Sequence, residues 1–304
     1  MGAICDNDLA LPRPGGQDRG TKHHAWFHCT APAGKDPMII LARTGCLVLF
    51  LGGCAAGPDI SAVFDGRAGS WVDLTHAFSS ESVYWPTADG FTLEPLAYGP
   101  TEGGWFYAAN NFAAAEHGGT HLDAPIHFAE GRHTADAIPL DRLIGPAVVV
   151  DVSARASPDY LIGMGDLEGW EAEHGRIPDG AILLLRTGWG AFYGDRARYL
   201  GTDVTGAAAV PLLHFPGLDP EAARWLVAER AVDAVGIDTP SIDYGQSTTF
   251  ESHVALYEAN IPGFENVANL ERLPASGALV VALPMKIAGG SGGPLRIVAW
   301  LPGN

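Results

Sequence analysis

Beyond Cys54 this 304-residue chain contains no cysteine; Cys5, Cys29, Cys46 and Cys54 are its only four. The body therefore has no disulfide framework, no thiolate-ligated metal and no cysteine nucleophile. No Gly-x-Ser-x-Gly nucleophile elbow is expected either. Basic residues are scarce, 18 Lys+Arg against 35 Asp+Glu for a net charge of −17. A surface this acidic repels phosphate backbones, which excludes nucleic acid as a partner. The longest apolar runs are too short to span a bilayer, which takes about 20 residues. Internal repeats and a Pro/Ser linker within the body are also missing.

What is present argues for a folded protein. Hydrophobic residues make up 47% of the chain, with 39 glycines and 22 prolines, enough for a sizeable core with many turns and too much for general disorder. All of the acidic excess lies after residue 54, where 13 Lys+Arg stand against 31 Asp+Glu, so the head and body differ in composition. In the head, Met38 to Gly53 reads MIILARTGCLVLFLGG before Cys54. Arg43 precedes the apolar run Cys46–Leu51, and Leu51-Gly52-Gly53-Cys54 resembles the lipobox of a bacterial lipoprotein signal. The expectation is an exported protein, periplasmic or membrane-anchored through lipid on Cys54. Residues 1–54 would be a disordered leader plus signal, 55–70 a tether, and 71–304 the functional domain.

In the body, Trp71–Leu74, Ala147–Val152, Ala181–Arg186, Ala278–Leu283 and Leu295–Leu301 are short apolar runs bounded by Gly, Pro or Asp, and read as strands. Asp219-Pro220-Glu221 supplies an N-cap, a proline at the first helical position and an acid in the first turn. A helix from there, with Ala223, Leu226 and Val227 on its buried face, should end near Arg230 and lead into a strand at Ala234–Ile237. A second helix is expected over Thr249–Ala259. These elements make a single α/β domain with a mixed sheet.

The chemistry concentrates in His117-Gly-Gly-Thr-His121-Leu-Asp123-Ala-Pro-Ile-His127. Gly118-Gly119 and Pro125 oppose a continuous helix, so His117 and His121 are not a helical pair. With residues 120–124 extended, His121 and Asp123 share a face, and the Gly-Gly turn folds His117 back toward them. Two imidazoles and a carboxylate make an open N/O site for a divalent ion, manganese or zinc. Such an ion lowers the pKa of bound water and polarises a carbonyl, so no side-chain nucleophile is needed.

His117, Gly119, Thr120, His121, Asp123, Pro125 and His127 also match the pattern H-x-G-T-H-x-D-x-P-x-H. The chain thereby resembles the cyclase family of metal-dependent hydrolases, which includes bacterial kynurenine formamidases and isatin hydrolases. The resemblance runs from about Trp71 to Leu301, supported by Asp73–His76, Leu185–Trp189, Gly236–Asp243 and Glu265–Leu270. It implies a swivelling β/β/α-type core, a homodimer or homotetramer, and hydrolysis of a small aryl or cyclic amide. By position, it makes His117, His121 and Asp123 primary metal ligands. It makes His127 the proton-handling base or a ligand to a second ion, and His253 with Glu265 the pair completing a binuclear site. Trp85, with its neighbour Tyr84, and Trp105-Phe106-Tyr107 are its candidates for the substrate pocket. Ser241, with Asp238 and Asp243, follows a strand end where functional residues collect. Ester or lactone hydrolysis, dehydrative ring closure, and a non-catalytic metal-binding lipoprotein are the alternative readings. His133, His174 and His214 are expected to be structural or on the surface, and Arg132 solvated.

Overall fold

The computed structural model describes residues 68–303 together with Val63 and Gly66. The expected leader, signal, Cys54 anchor and most of the tether lie outside the described residues. In chain order the elements are β1 (Gly69–Asp73), β2 (Thr92–Pro100), β3 (Phe106–Ala113), β4 (His121–Asp123), β5 (Ile144–Asp151), β6 (Leu161–Ile162), α1 (Met164–His174), β7 (Ile182–Arg186), α2 (Arg196–Leu200), β8 (Gly217–Leu218), α3 (Pro220–Glu229), β9 (Ala234–Ile237), α4 (Glu251–Glu258), β10 (Gly263–Glu265), β11 (Ser276–Pro284) and β12 (Gly292–Pro302).

All five apolar runs form strands. Seven strands follow the order β12-β11-β5-β7-β9-β10-β4, and β4 pairs back onto β12, so the sheet closes as a barrel. β1 joins β12 from outside the ring, beyond the residues that pair with β4. β5, β7, β9 and β10 run parallel, and the remaining pairs are antiparallel. This is the mixed sheet expected.

The parallel strands read as unbroken apolar runs because both faces are covered. Val148, Val150, Leu183, Leu185 and Ile237 pack outward on Leu167 and Trp170 of α1, Ala223 and Leu226 of α3, and Leu256 of α4. Ala147, Val149, Ile182, Leu184 and Ala234 point inward and meet Leu122, Phe264, Val280 and Ile297. The barrel interior is a packed core.

The helices follow local signals with two adjustments. The Asp219 side chain accepts from the Glu221 amide at 2.7 Å and Pro220 opens α3, as expected. Its buried stripe is Ala222, Ala223 and Leu226, whereas Val227 is exposed, because Ala222 rather than Val227 turns toward the sheet. α4 begins at Glu251, two residues later than expected. α1 had no clear sequence signal, since Gly165 and Gly169 dilute its periodicity. Asp166 anchors its start by accepting from the Gly163 amide at 2.9 Å.

The hairpin β2–β3 was also unmarked. Among the described residues its strands pair only with each other, and Leu93, Leu96, Tyr98, Trp105, Phe106, Tyr107 and Phe112 are all exposed along it. This corrects the placement of Trp105-Phe106-Tyr107 in the substrate pocket. The β2–β3 pairing carries them onto the arm, away from the barrel.

Candidate metal centre

The register of the barrel seam builds the centre. β4 is held on both edges, with Glu265 of β10 and Pro294 of β12 opposite His121, and Gly263 and Gly292 opposite Asp123. His121 and Asp123 project from the same face of this strand, and the cross-strand position brings Glu265 beside His121. Gly119 then turns the chain at φ +59°, where a side chain is disfavoured and a Cβ would also lie 2.5 Å from Phe78. That turn returns His117 to Asp123. Tyr84 bridges to Gly118 across this turn.

Asp123 sits at the middle of the cluster. Its Oδ1 is 2.6 Å from His117 Nδ1 and 3.1 Å from His121 Nε2. Its Oδ2 accepts from the Tyr257 hydroxyl at 3.0 Å and lies 3.4 Å from His253 Nε2. Glu265 Oε1 accepts from the Ile242 amide at 2.8 Å and is 3.0 Å from His253 Nε2, while Oε2 is 3.4 Å from His121 Nε2. The donors form two overlapping sets, His117/Asp123/His127 and His121/Asp123/Glu265, each with its ligand atoms within 4.8 Å of one another.

Tautomers sharpen this picture. His121 Nδ1 faces the Gly119 carbonyl at 3.0 Å, an acceptor, so Nδ1 carries a proton. Its Nε2 then faces the Asp123 and Glu265 carboxylates, and among the described residues that buried atom has no well-directed hydrogen-bond partner. His253 repeats the arrangement: Nδ1 donates to Asp243 at 2.5 Å and Nε2 faces Glu265 and Asp123. Two imidazoles meeting two buried carboxylates are balanced either by protons on the rings or by a bound cation in their place. Imidazole nitrogens and carboxylate oxygens fit a divalent ion such as manganese or zinc.

The titration behaviour reflects the same negative focus. Burial works against a charged His121, but the hydrogen bond and charge of Asp123 and the charge of Glu265 outweigh it and raise its pKa to about 8. Burial likewise opposes ionisation of Asp123, yet His117 and the surrounding imidazoles hold it well below the usual carboxylate range. His127 behaves oppositely. Burial lowers its pKa to about 4 against the pull of Asp123, and His117, His253 and His121 push the same way. It is a neutral imidazole at ordinary pH, stacked on His117 with ring centroids 3.8 Å apart.

A cavity of about 310 Å³ opens onto this cluster. Trp85 and Ser241 line it, together with Val83, Tyr84, Pro240, Phe128 and Phe250. No lysine or arginine is among the described lining residues. Asp243 serves His253, whereas Asp238 caps the Thr187 and Gly188 amides and faces away. Arg132 and His174 are exposed, and His214 pairs with Asp159 at 2.7 Å.

Sequence reasoning missed Tyr257, Phe128 and Phe250. The i, i+4 spacing of His253 and Tyr257 on one helix was the available signal. It also missed that Gly289-Gly290-Ser291-Gly292-Gly293 spells Gly-x-Ser-x-Gly. This segment enters a β-strand rather than a helix, and the Ser291 hydroxyl donates to Glu116 at 2.6 Å, so it is not a nucleophile elbow.

The family model described as "Putative cyclase" matches residues 72–244. An isatin hydrolase from Roseibium aggregatum is 37% identical over 209 residues, 66% of this chain and 77% of that protein. A kynurenine formamidase from Salinibacter ruber is 29% identical over 238 residues, 75% of this chain and 95% of that protein. The structure of isatin hydrolase A from Ralstonia solanacearum superposes with a TM-score of 0.70 at 36% identity, covering 79% of this chain and 95% of that one. The matched span contains the whole His117–His127 motif, and the barrel seam folds that motif into one centre: the chain belongs to the cyclase family of metal-dependent hydrolases.

Proposed function

We propose that this chain hydrolyses the C–N bond of a small, neutral aryl or cyclic amide, of the isatin or arylformamide type, at the centre built around Asp123. The observation that carries the reading is His121 Nε2, a buried ring nitrogen facing two carboxylates at the floor of an aromatic-walled cavity. A bound divalent ion, manganese or zinc, supplies a lowered pKa for water and polarisation of the carbonyl. His117, His121 and Asp123 would hold it, the Asp123 carboxylate joining the His117 and His121 donor sets, and Glu265 with His253 would complete the donors on the His121 side.

The remaining steps belong to the chain. His127, neutral and beside His117, takes the proton of the attacking water as the new C–O bond forms. It then gives that proton to the nitrogen as the C–N bond breaks. Trp85, Phe128 and Phe250 wall the cavity and favour a flat aromatic ring, and Ser241 offers a hydroxyl to a substrate oxygen. With no cationic side chain among the described lining residues, nothing there pairs with a carboxylate, which favours a neutral amide over an amino-acid-bearing one.

Purified protein loaded with manganese or zinc should open isatin, and chelation should abolish the activity. Formanilide, N-formylkynurenine and phenyl acetate complete the panel. Turnover of phenyl acetate alone would replace the amidase reading with an esterase. Asp123→Ala with full metal content and activity would remove the assigned centre.

Two further readings join this one. The apolar β2–β3 arm supports a homodimer or homotetramer in which it is covered, because an isolated two-stranded hairpin is marginal in water; light scattering of wild type and a Tyr98→Asp/Phe106→Asp variant tests it. The lipobox-like segment supports lipidation and membrane anchoring at Cys54, and mass spectrometry of the membrane fraction tests that.

A further inference from the structure

We infer that Glu116 and Ser291 are positioning residues that fix the tautomer of His117, making Nδ1 its metal-binding atom. The inference rests on the metal-centre reading and adds residues outside the His117–His127 motif. The Ser291 hydroxyl and amide both donate to Glu116 Oε2, at 2.6 and 2.9 Å. A hydroxyl has a single hydrogen, and here the carboxylate takes it. Toward His117 Nε2, 2.8 Å away, Ser291 Oγ can then only accept. Nε2 therefore carries the ring proton, and Nδ1 keeps its lone pair.

In the neutral ring that lone pair lies 2.6 Å from Asp123 Oδ1, also an acceptor, and the two repel unless a proton or a metal ion offsets the repulsion. The bracket around the ring is close on two sides, while the ring also faces the cavity. His127 stacks on one face, and a Cβ on Gly292 would come within 2.6 Å of His117 Cε1. Glu116 immediately precedes His117, and Ser291 leads into β12, so the bracket spans the seam where the barrel closes. A carboxylate acting through a hydroxyl also raises the basicity of the ligating nitrogen, the usual service of an outer hydrogen-bond partner to a metal-bound histidine.

The test uses the full chain stripped of metal and titrated with zinc against a chromophoric chelator. Ser291→Ala should weaken binding by about 10–100-fold, and Ser291→Thr, which keeps the hydroxyl, should restore it. Glu116→Ala should weaken it too, by freeing the serine to donate to Nε2. In the zinc-loaded wild type, two-bond ¹⁵N–¹H spectra of labelled histidine should show His117 protonated at Nε2 and ligated at Nδ1. Ligation at Nε2 would overturn the inference. So would a Ser291→Ala variant with a lowered Tm but wild-type zinc affinity, which is what a purely structural serine would give. Wild-type protein that binds no zinc would sink the metal-centre reading and this inference together.

Discussion

The Tyr257 hydroxyl donates to Asp123 Oδ2 at 3.0 Å, with both side chains buried, so a helix on the outside of the barrel orients the carboxylate at its seam. Burial, with Asp123 and Glu265 beside it, holds the phenol well above its ordinary pKa, and it remains a donor. Tyr257→Phe keeps the ring in the core and deletes only this bond. Metal affinity of the stripped protein should fall by roughly tenfold, the low end for losing an outer-partner hydrogen bond. Calorimetric titration with zinc checks it, and an unchanged Kd would remove Tyr257 from the centre.

His127→Asn separates proton transfer from metal binding. Loss of a general base should reduce kcat by about 10²–10⁴-fold while metal content stays near wild type. Metal analysis alongside steady-state kinetics reads both. A drop in metal stoichiometry instead would place His127 among the ligands, as its membership of the His117/Asp123 set permits.

Gly292→Ala attacks the seam. A Cβ there would lie 2.5 Å from the Leu122 carbonyl oxygen and 2.6 Å from His117 Cε1. Backbone cannot yield as a flexible side chain does, so a loss of about 1–3 kcal/mol in stability is expected. Denaturant unfolding measures it. Wild-type stability would show that β4 and β12 are less tightly apposed than the distances imply.

His76 gives the fold a pH dependence of its own. Burial lowers its pKa from 6.5 to about 4, so protonation favours the unfolded chain. Its contribution to stability is complete above pH 6.5 and is lost as pH falls toward 4. Thermal melts of metal-free wild type and His76→Gln should diverge with pH: between pH 6.5 and 4 the wild-type Tm should fall more steeply. Parallel curves would mean that the Tyr193 ring stacked on His76 at 3.6 Å does not keep it neutral.

The strands and the motif were legible in the sequence for a shared reason: each is encoded locally. Alternation of apolar and polar residues was not needed to find β5, because parallel strands covered on both faces announce themselves as apolar runs, and His117–His127 are contiguous. Glu265 and His253 were reached only through family resemblance. Their roles depend on register across β4 and β10 and on Asp243 fixing an imidazole ring, which are non-local facts. Tyr257 and Phe250 look like ordinary helix residues until α4 is placed over the seam. The β2–β3 arm escaped notice because its aromatics face outward, reversing the pattern by which strands are recognised.

Closure of the barrel by β12 also bears on the order in which the centre can come into being. Ser291 follows His117 by 174 positions, and β12 comes after every other strand of the ring. During synthesis β4 therefore waits with both edges unpaired until β10 emerges, and with one until β12 does, when nearly the whole domain has left the ribosome. Pairings this distant in sequence are slow to form, and unpaired apolar edges invite aggregation in the interval. The finished centre, with Ser291 on His117, is consequently a product of completed folding rather than a template for it. Adding zinc or manganese to refolding protein should stabilise the finished barrel without accelerating its formation.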